Sequence, residues 1–330
     1  MNHRPRFSAL AAICLPLVVL ALSGCAMTPV DDAATPTGTR YRGTLSGGAS
    51  REDLAESDKA RALDPCGMLD EAAITALGTA LYFGIGQRLD ECEVRLDRVT
   101  LARGITTVGV SLSVLPHFGT NSFRIGDRRA SPLLSDETCF IALEYNKRRA
   151  FHYWATASPG VDPCAALRDI VTVSAPLLQE SPLRVNSTRV PKTRSAMKDP
   201  CAALDSAFEP GQTFYLSMLS PYECNIWLGQ HSRDDSNRFG IEVFNVAKSQ
   251  ASYVPSQARK LMLAGVESVE ESNGDGHCSI RAYVGVDKPF STRTWDGKPE
   301  DRIDALRISG PGCAETRALA VAAVKSYQQD

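Results

Sequence analysis

The chain has 330 residues and a formal net charge of −2, with 43% hydrophobic and 22% charged side chains. This length is enough for two ordinary domains, and the balanced charge argues against nucleic-acid binding, which needs a basic excess to neutralise phosphates. Ten cysteines are many for a cytosolic protein and ordinary for an exported one.

The N-terminal region carries a targeting pattern. Arg4 and Arg6 precede an apolar run over residues 9–22, which is shorter than the roughly 20 residues that a membrane-spanning helix needs. This pattern is typical of a signal peptide, which we place at residues 1–24. The run ends in Leu-Ser-Gly-Cys25, which resembles the lipobox of bacterial lipoproteins and implies lipidation of Cys25. An ordinary secretory signal, cleaved at a nearby alanine, is the alternative.

Acyl chains on this cysteine, palmitate among them, would hold the protein on the extracytoplasmic face of the cell membrane, because two or more chains give stable anchoring. Residues 25–62 are rich in Thr, Ser, Gly, Pro, Asp and Ala and show little apolar periodicity. This composition predicts a flexible tether after the lipidated residue.

The rest of the chain is an internal duplication. The triplet Asp-Pro-Cys occurs at residues 64–66 and again at 199–201. A third triplet, at 162–164, could also start a domain, but it lies too close to Cys201 for one, and we assign it to the last helix of the first copy. Each later cysteine of the first copy has a counterpart at a similar offset in the second, the pairs being Cys92 with Cys224, Cys139 with Cys278, and Cys164 with Cys313. We therefore predict two homologous domains, 63–180 and 199–330, joined by a linker over 181–198.

The same elements are predicted in both domains. Asp is a favoured N-cap and Pro is favoured at the first helical position, so each triplet predicts a helix start, the first helix covering 66–77. Closing helices are expected over 164–178 and 313–327. Alternating apolar residues predict strands between them, at 108–114, 140–145, 151–155, 226–228, 239–246, 266–269 and 280–286. The fold class is therefore α+β, each domain an antiparallel sheet with helices packed on one side.

Eight cysteines could pair in 105 ways, but a duplicated scheme kept within each domain leaves three. The sequential scheme is favoured because it joins each helix start to the nearest strand that carries a cysteine. Its four bridges are Cys66–Cys92, Cys139–Cys164, Cys201–Cys224 and Cys278–Cys313. The other two schemes stay open at this point.

The cysteines do not form a metal-binding pattern. No Cys-x-x-Cys and no Cys/His pair at ligand spacing occurs, so we expect no metal site and no cofactor. Glu271, Asn273 and Asp275 copy the first half of an EF-hand loop, but Ala282 stands where that loop needs a bidentate carboxylate. A turn is the simpler interpretation.

A catalytic constellation is also missing from the sequence. The histidines after the signal peptide lack a partner at i+4, and no Gly-x-Ser-x-Gly elbow is present; they are His117, His152, His231 and His277. We predict no catalytic residues. Among the aromatic residues, 152–154 and Trp227 are expected in the core, with a ligand groove as the alternative.

These features together resemble a family of actinobacterial lipoproteins of unknown function. Its members carry a lipobox, a low-complexity tether, an Asp-Pro-Cys helix start and a strand cysteine often followed by Trp. Residues 224–227, Cys-Asn-Ile-Trp, match that last feature, and residues 92–95, Cys-Glu-Val-Arg, lack the Trp. A more distant similarity is to the extracellular sensor domain of mycobacterial serine/threonine kinases, which implies two sequential disulfides and a curved sheet with a cleft. Neither resemblance supplies catalytic residues.

We therefore expect a membrane-anchored lipoprotein that binds or senses an unidentified ligand or protein of the cell envelope without catalysis. An envelope scaffold without a pocket and an envelope hydrolase are the alternatives. The second copy has longer stretches between its cysteines, including 232–237 and 290–304. Because loops carry recognition, we expect the second copy to do most of the binding.

Overall fold

The computed structural model describes residue 41 and residues 44–114, 121–229, 231, 236–272, 276–294 and 296–329. All of these residues belong to one compact unit. The signal peptide, Cys25, His117 and Trp295 lie outside the described residues, as do most of residues 232–237. Among the described helices, none combines the length and the apolar character that crossing a membrane requires.

The first described elements fall in the segment that composition assigned to the tether. Strand β1 covers Thr44–Gly48 and helix α1 covers Arg51–Ala62. The flexible-tether prediction is therefore wrong for residues 44–62. Ser50 and Asp53 form a capping box at the start of α1, and this helix buries Leu54 and Ala60 against the rest of the fold. A sparse apolar pattern was sufficient here because tertiary contacts, and not propensity, hold the helix.

The first copy forms a seven-stranded antiparallel sheet in the order β2-β3-β4-β8-β7-β6-β5. Its elements are α2 (Glu71–Thr75), β2 (Ala80–Ile85), β3 (Glu91–Leu96), β4 (Ile105–Val114), β5 (Phe123–Ile125), β6 (Arg128–Ser135), β7 (Thr138–Glu144), β8 (Arg149–Ala157), α3 (Pro163–Ser174) and α4 (Leu177–Glu180). Helix α3 packs on β7 and β8.

The second copy repeats this topology. Its elements are α5 (Leu204–Ala207), β9 (Thr213–Ser217), β10 (Glu223–Leu228), β11 (Arg238–Ala247), β12 (Arg259–Leu263), β13 (Val266–Ser272), β14 (His277–Ala282), β15 (Phe290–Arg293), β16 (Pro299–Pro311) and α6 (Cys313–Gln328). The strand order is β1-β9-β10-β11-β16-β14-β13-β12, with β15 paired to β16. Without β1 and β15, this order matches the first sheet strand for strand. The predicted α+β class and the duplication are thus both visible in the topology.

The two helices predicted in the first copy are broken into shorter ones, whereas the predicted helix 313–327 is α6, Cys313–Gln328. The expected helix 66–77 is a short 3-10 turn, Cys66–Met68, followed by α2, because Asp70 adopts an extended conformation and caps a new helix. The closing helix of the first copy breaks between α3 and α4, where Pro176 follows Ala175. Proline lacks the amide N–H that a continuous helix would use.

The aspartates of the Asp-Pro-Cys triplets cap helix starts as the sequence predicted, although the turns that follow at 66–68 and 200–203 are 3-10 helices. The carboxylates of Asp64, Asp162 and Asp199 each accept a hydrogen bond from the amide of the cysteine two residues later, at 2.8–3.0 Å. Four disulfides then join the helix starts to the strands in sequential order, with Cα–Cα distances of 5.0–5.3 Å. They are Cys66–Cys92, Cys139–Cys164, Cys201–Cys224 and Cys278–Cys313.

Buried apolar residues of both copies form one continuous core. A smaller cluster, which includes Phe244, Val269 and Ile303, covers part of the other face of the second sheet. The junction between the copies holds three buried arginines, Arg61, Arg149 and Arg184, each at most 4% exposed.

These arginines donate mainly to backbone carbonyl groups across the junction. Arg61 Nη1 donates to Pro221 O at 2.8 Å, and Arg184 Nε donates to Arg61 O at 3.3 Å. Arg149 Nη2 donates to Ser57 Oγ at 2.5 Å. Helix α1 is therefore fixed between the first sheet and the β9–β10 loop, and the two copies meet through polar contacts as well as apolar ones.

Candidate functional site

The aromatic residues that the sequence singled out do not form a groove together. Tyr153 lies in the core and its hydroxyl donates to Met68 O at 3.1 Å. Trp227 is buried on the second sheet, with its ring centroid 5.6 Å from that of Tyr215 and 4.8 Å from that of His231. Trp154 is half-buried and its indole lies over Gly109 of the neighbouring strand. The core interpretation therefore holds for the two buried residues.

Two cysteines and a glutamate lie close enough together to suggest a metal site, but their chemistry does not fit one. Cys278 and Cys313 form a disulfide, so neither sulfur is a thiolate. The carboxylate of Glu270 accepts hydrogen bonds from Arg259 at 2.8 Å and from Arg317. The cluster is thus a disulfide next to an ion pair.

A cleft of about 740 Å³ lies along strand β2, between the first copy, the linker and β15 of the second copy. Its lining residues are Glu71, Ile74, Thr75, Gly78, Thr79, Ala80, Leu81, Tyr82, Phe83, Gly84, Ile85, Thr100, Thr188, Arg189, Pro191, Ser291, Thr292 and Arg293. This volume is in the range of pockets that hold small ligands or short peptides. We name it the β2 cleft.

The floor of the β2 cleft is the edge strand of the first sheet. Strand β2 pairs with β3 on one side, and no strand in the described part of the chain pairs with its other side. The pairing with β3 shifts register between Ala80 and Tyr82, so Leu81 bulges and is 39% exposed. An edge strand presents unpaired N–H and C=O groups, so the cleft offers main-chain donors and acceptors along β2, except at the Ile85 carbonyl, which accepts a hydrogen bond from the Tyr82 hydroxyl.

A tyrosine joins this floor to the wall contributed by the second copy. The Tyr82 hydroxyl donates to Ile85 O at 2.5 Å and accepts a hydrogen bond from Thr292 Oγ1 at 3.0 Å. Burial raises the pKa of Tyr82, so the hydroxyl stays protonated at neutral pH. The side chain lies over Gly84, where a Cβ atom would be 2.9 Å from the hydroxyl oxygen.

The linker forms the opposite wall through Arg189. Its guanidinium carbon lies 3.9 Å from the ring centroid of Phe83, a cation–π contact. Arg189 Nε also donates to Glu71 Oε1 at 2.9 Å. The cation and the carboxylate neutralise one another, so this wall has no net charge.

Most of the remaining polar lining consists of hydroxyl groups, which belong to Thr75, Thr79, Thr100, Thr188, Ser291 and Thr292. Arg293 Nη1 donates to Gly297 O at 2.8 Å, inside the β15–β16 turn. The β2 cleft thus combines hydroxyls, main-chain groups, the Glu71–Arg189 ion pair and the Arg293 guanidinium, a surface suited to a polar ligand.

A partly buried ionic cluster lies where the loop after β2 meets the second sheet. Arg88 donates to both carboxylate oxygens of Asp90, at 3.1 and 2.8 Å, and lies 3.7 Å from the carboxylate of Glu223. Asn245 of β11 donates to the carbonyls of Gly86 and Gln87 at 3.1 and 2.9 Å. These contacts fix the end of β2 against the second copy.

Glu91 is the titrating group of this cluster. Burial, followed by the nearby charges of Asp90 and Glu93, raises the pKa of Glu91 to about 7, although Arg88 and Arg302 lower it. Glu91 does not line the β2 cleft. Its protonation should therefore affect the stability of the junction between the copies and not a contact with a ligand.

Comparison with protein-family models, with curated proteins and with solved structures finds no significant match. The assignment of function consequently depends on the residues and geometry described above.

Sequence reasoning missed most of this site. The expectation that the second copy does most of the binding does not fit the β2 cleft, whose lining comes mainly from the first copy. One signal did point to it: residues 290–304, noted as extra length, supply β15 and the three residues that close the cleft. Nothing in the sequence marked Glu71 or Arg189, because their pairing joins residues far apart in the chain.

Proposed function

We propose that this protein is a membrane-anchored extracytoplasmic lipoprotein and that its folded part binds an envelope ligand or protein in the β2 cleft without catalysis. The observation that carries the binding proposal is the cleft itself, with its open strand edge and its walls from both copies. The lipobox at Cys25 supports the anchor, and four disulfides suit an oxidising compartment.

The ionisable groups of the cleft favour binding over catalysis. A general acid or base works best with a pKa near the operating pH. In the cleft, Glu71 is paired with Arg189, and burial keeps Tyr82 protonated. The raised pKa of Tyr82 makes its hydroxyl a poor general acid or base near pH 7, and the Glu71–Arg189 pair holds the wall in place.

A scaffold without a pocket has weaker support. The exposed leucines of β6, Leu133 and Leu134, are 65% and 58% exposed. Because they are consecutive in a strand, they point to opposite faces of the sheet and do not form one apolar patch.

Site-specific photo-crosslinking of the full-length lipidated chain in native membranes tests the cleft. The photoreactive residue p-benzoylphenylalanine replaces Leu81 in one variant and Tyr253, 65% exposed and outside the cleft lining, in the control. We expect light-dependent adducts from position 81 and not from position 253. The absence of adducts at position 81, or the same adducts at both positions, would show that the cleft is not the binding site.

The anchor has its own test. A Cys25→Ser variant removes the thiol that takes the lipid, so it should accumulate unprocessed and lose its acyl label. Wild-type protein should enter the detergent phase in a phase-separation assay. Wild-type protein that partitions into the aqueous phase would contradict the lipoprotein proposal.

A further inference from the structure

The duplication allows the β2 cleft to be compared with its counterpart in the second copy. Strands β2 and β9 are equivalent because each pairs with the strand that carries the second cysteine of its copy. Tyr82 pairs with Arg95, three residues after Cys92. Tyr215 likewise pairs with Trp227, which occupies the equivalent position after its own cysteine.

In the second copy the equivalent edge is filled. Strand β1 adds to β9 in parallel, with Thr44 opposite Thr213 and Gly48 opposite Leu216. The backbone amide of Thr44 donates to Gln212 O at 2.9 Å at one end of this pairing. At the other end, the backbone amide of Ala49 donates to Leu216 O at 2.7 Å. This fold therefore accepts an added parallel strand at this position.

The side chains of β1 show what the added strand requires. Its sequence, Thr-Leu-Ser-Gly-Gly, carries no charge. At Gly48, which has a φ of +89°, a Cβ atom would lie 1.9 Å from Leu216 O. At Gly47 a Cβ would lie 3.2 Å from the ring of Tyr215. The added strand thus approaches closely where it has glycine.

In the first copy the same edge is open, and the β2 cleft runs beside it. We propose that this cleft binds an extended, uncharged, glycine-containing peptide segment of another protein, which adds to β2 as a parallel strand. This inference rests on the proposed function and names the class of ligand. Main-chain hydrogen bonds supply affinity in such strand addition.

Strand β1 itself cannot be the occupant because it is already engaged on β9. Besides its main-chain bonds, β1 is held by Ser46 Oγ, which donates to Gly229 O at 2.7 Å. The absence of charge follows from β1, which fills the equivalent edge of the second copy and carries no charged residue. Because the Ile85 carbonyl is already bonded to the Tyr82 hydroxyl, β2 offers an edge for about five residues of peptide.

The test uses the β1 sequence as a probe, because that sequence fits the equivalent edge of the second copy. The probe is a synthetic peptide of residues 44–49, Thr-Leu-Ser-Gly-Gly-Ala, with both termini capped to remove their charges. Amide hydrogen exchange of the complete folded chain is followed over residues 79–85. A control peptide of the same sequence carries N-methyl groups at alternate residues, which removes its strand-pairing donors.

We expect the probe to bind and to slow exchange at the outward amides of β2, and the N-methylated peptide not to do so. Leu81→Lys places a charge on the open edge and should weaken binding about tenfold or more. The matched control is Met262→Lys, on edge strand β12 away from the cleft, which should leave binding unchanged.

Three results would overturn the proposal. They are no binding of the probe, binding without protection of residues 79–85, and equal binding of the N-methylated peptide. Crosslinks from position 81 to β1 of a second copy would likewise show that the occupant is another copy of this chain. Any of these outcomes leaves the cleft as a binding site if position 81 still gives crosslinks in membranes, so the two proposals fail separately.

Discussion

The two copies share a strand order and differ at one edge. In the second copy, β9 is covered by β1 from the N-terminal segment, whereas in the first copy β2 borders an open cleft. The same edge of this fold is therefore paired where the chain supplies a further strand, and it is a free surface where the chain supplies none.

The side chains that lie beside these two edges also differ between the copies. Position 95 is an arginine that donates to both oxygens of Glu93 and lies 5.7 Å from the ring of Tyr82. The equivalent Trp227 packs against Tyr215 and His231. Beside the open edge the first copy is therefore polar, and beside the filled edge the second copy is aromatic.

Removal of the N-terminal segment should have the largest effect on stability, and it should affect the second copy more than the first. A chain that begins at residue 63 lacks β1 and α1, and with them the buried Leu54, Ala60 and Arg61. The lost apolar burial and buried hydrogen bonds should cost about 5 kcal/mol of unfolding free energy or more, compared with a chain that begins at residue 39.

Denaturant unfolding measures this loss, and hydrogen exchange locates it. Protection should fall more in β9 and β10 than in β2 and β3, because only β9 loses a strand partner. Equal losses in the two sheets would contradict the assignment of β1 to the second copy.

The first disulfide of each copy gives a matched pair of variants. Cys66→Ala with Cys92→Ala opens a bridge with a sequence separation of 26, and Cys201→Ala with Cys224→Ala opens one with a separation of 23. The chain-entropy model gives about 3 kcal/mol for each. The denaturation midpoints of the two variants should shift by similar amounts. A clearly larger shift for one variant would show that the two bridges do not stabilise the protein equally.

The glutamates that precede these strand cysteines should titrate differently. The pKa of Glu91 is raised to about 7, above its ordinary value of 4.5, so the unfolded chain loses this proton first as the pH rises. Stability should therefore fall between about pH 4.5 and 7, by about 3 kcal/mol at most. Glu91→Gln, which mimics the protonated side chain, should be more stable than wild type at pH 8 and similar at pH 4.

Glu223 is the matched control for this effect. Burial also raises the pKa of Glu223, but Arg88, 3.7 Å away, lowers it. Glu223→Gln should consequently reduce the pH dependence of stability less than Glu91→Gln does. Unfolding measured at several pH values decides this, and a larger effect at Glu223 would contradict the cluster as described.

The smallest expected difference in stability is between alanine variants at two equivalent glycines, one in each copy. A Cβ at Gly109 would lie 2.0 Å from the indole of Trp154, whereas a Cβ at Gly240 would lie 2.9 Å from the Ser309 hydroxyl. Overpacking costs about 1–3 kcal/mol, so Gly109→Ala should fall near the upper end. Gly240→Ala should cost less because a serine side chain can rotate away. Equal thermal shifts would mean that Trp154 moves freely.

The sequence by itself determined the duplication, the fold class and the helix starts. Asp-Pro-Cys works locally, since the aspartate caps the amide of a cysteine two residues away, and such contacts can be inferred from adjacent residues. The sequential disulfides followed from the same regularity once both copies were required to use one scheme.

Only the tertiary structure decided the role of residues 44–62 and the position of the cleft. Strand β1 is held by main-chain atoms, and these are the same in every residue, so composition gave no sign of its partner. The cleft joins Glu71, Arg189 and Thr292 from three separate parts of the chain. Their proximity depends on how the two copies pack, and the buried arginines at the junction fix that packing through carbonyl groups that no sequence motif marks.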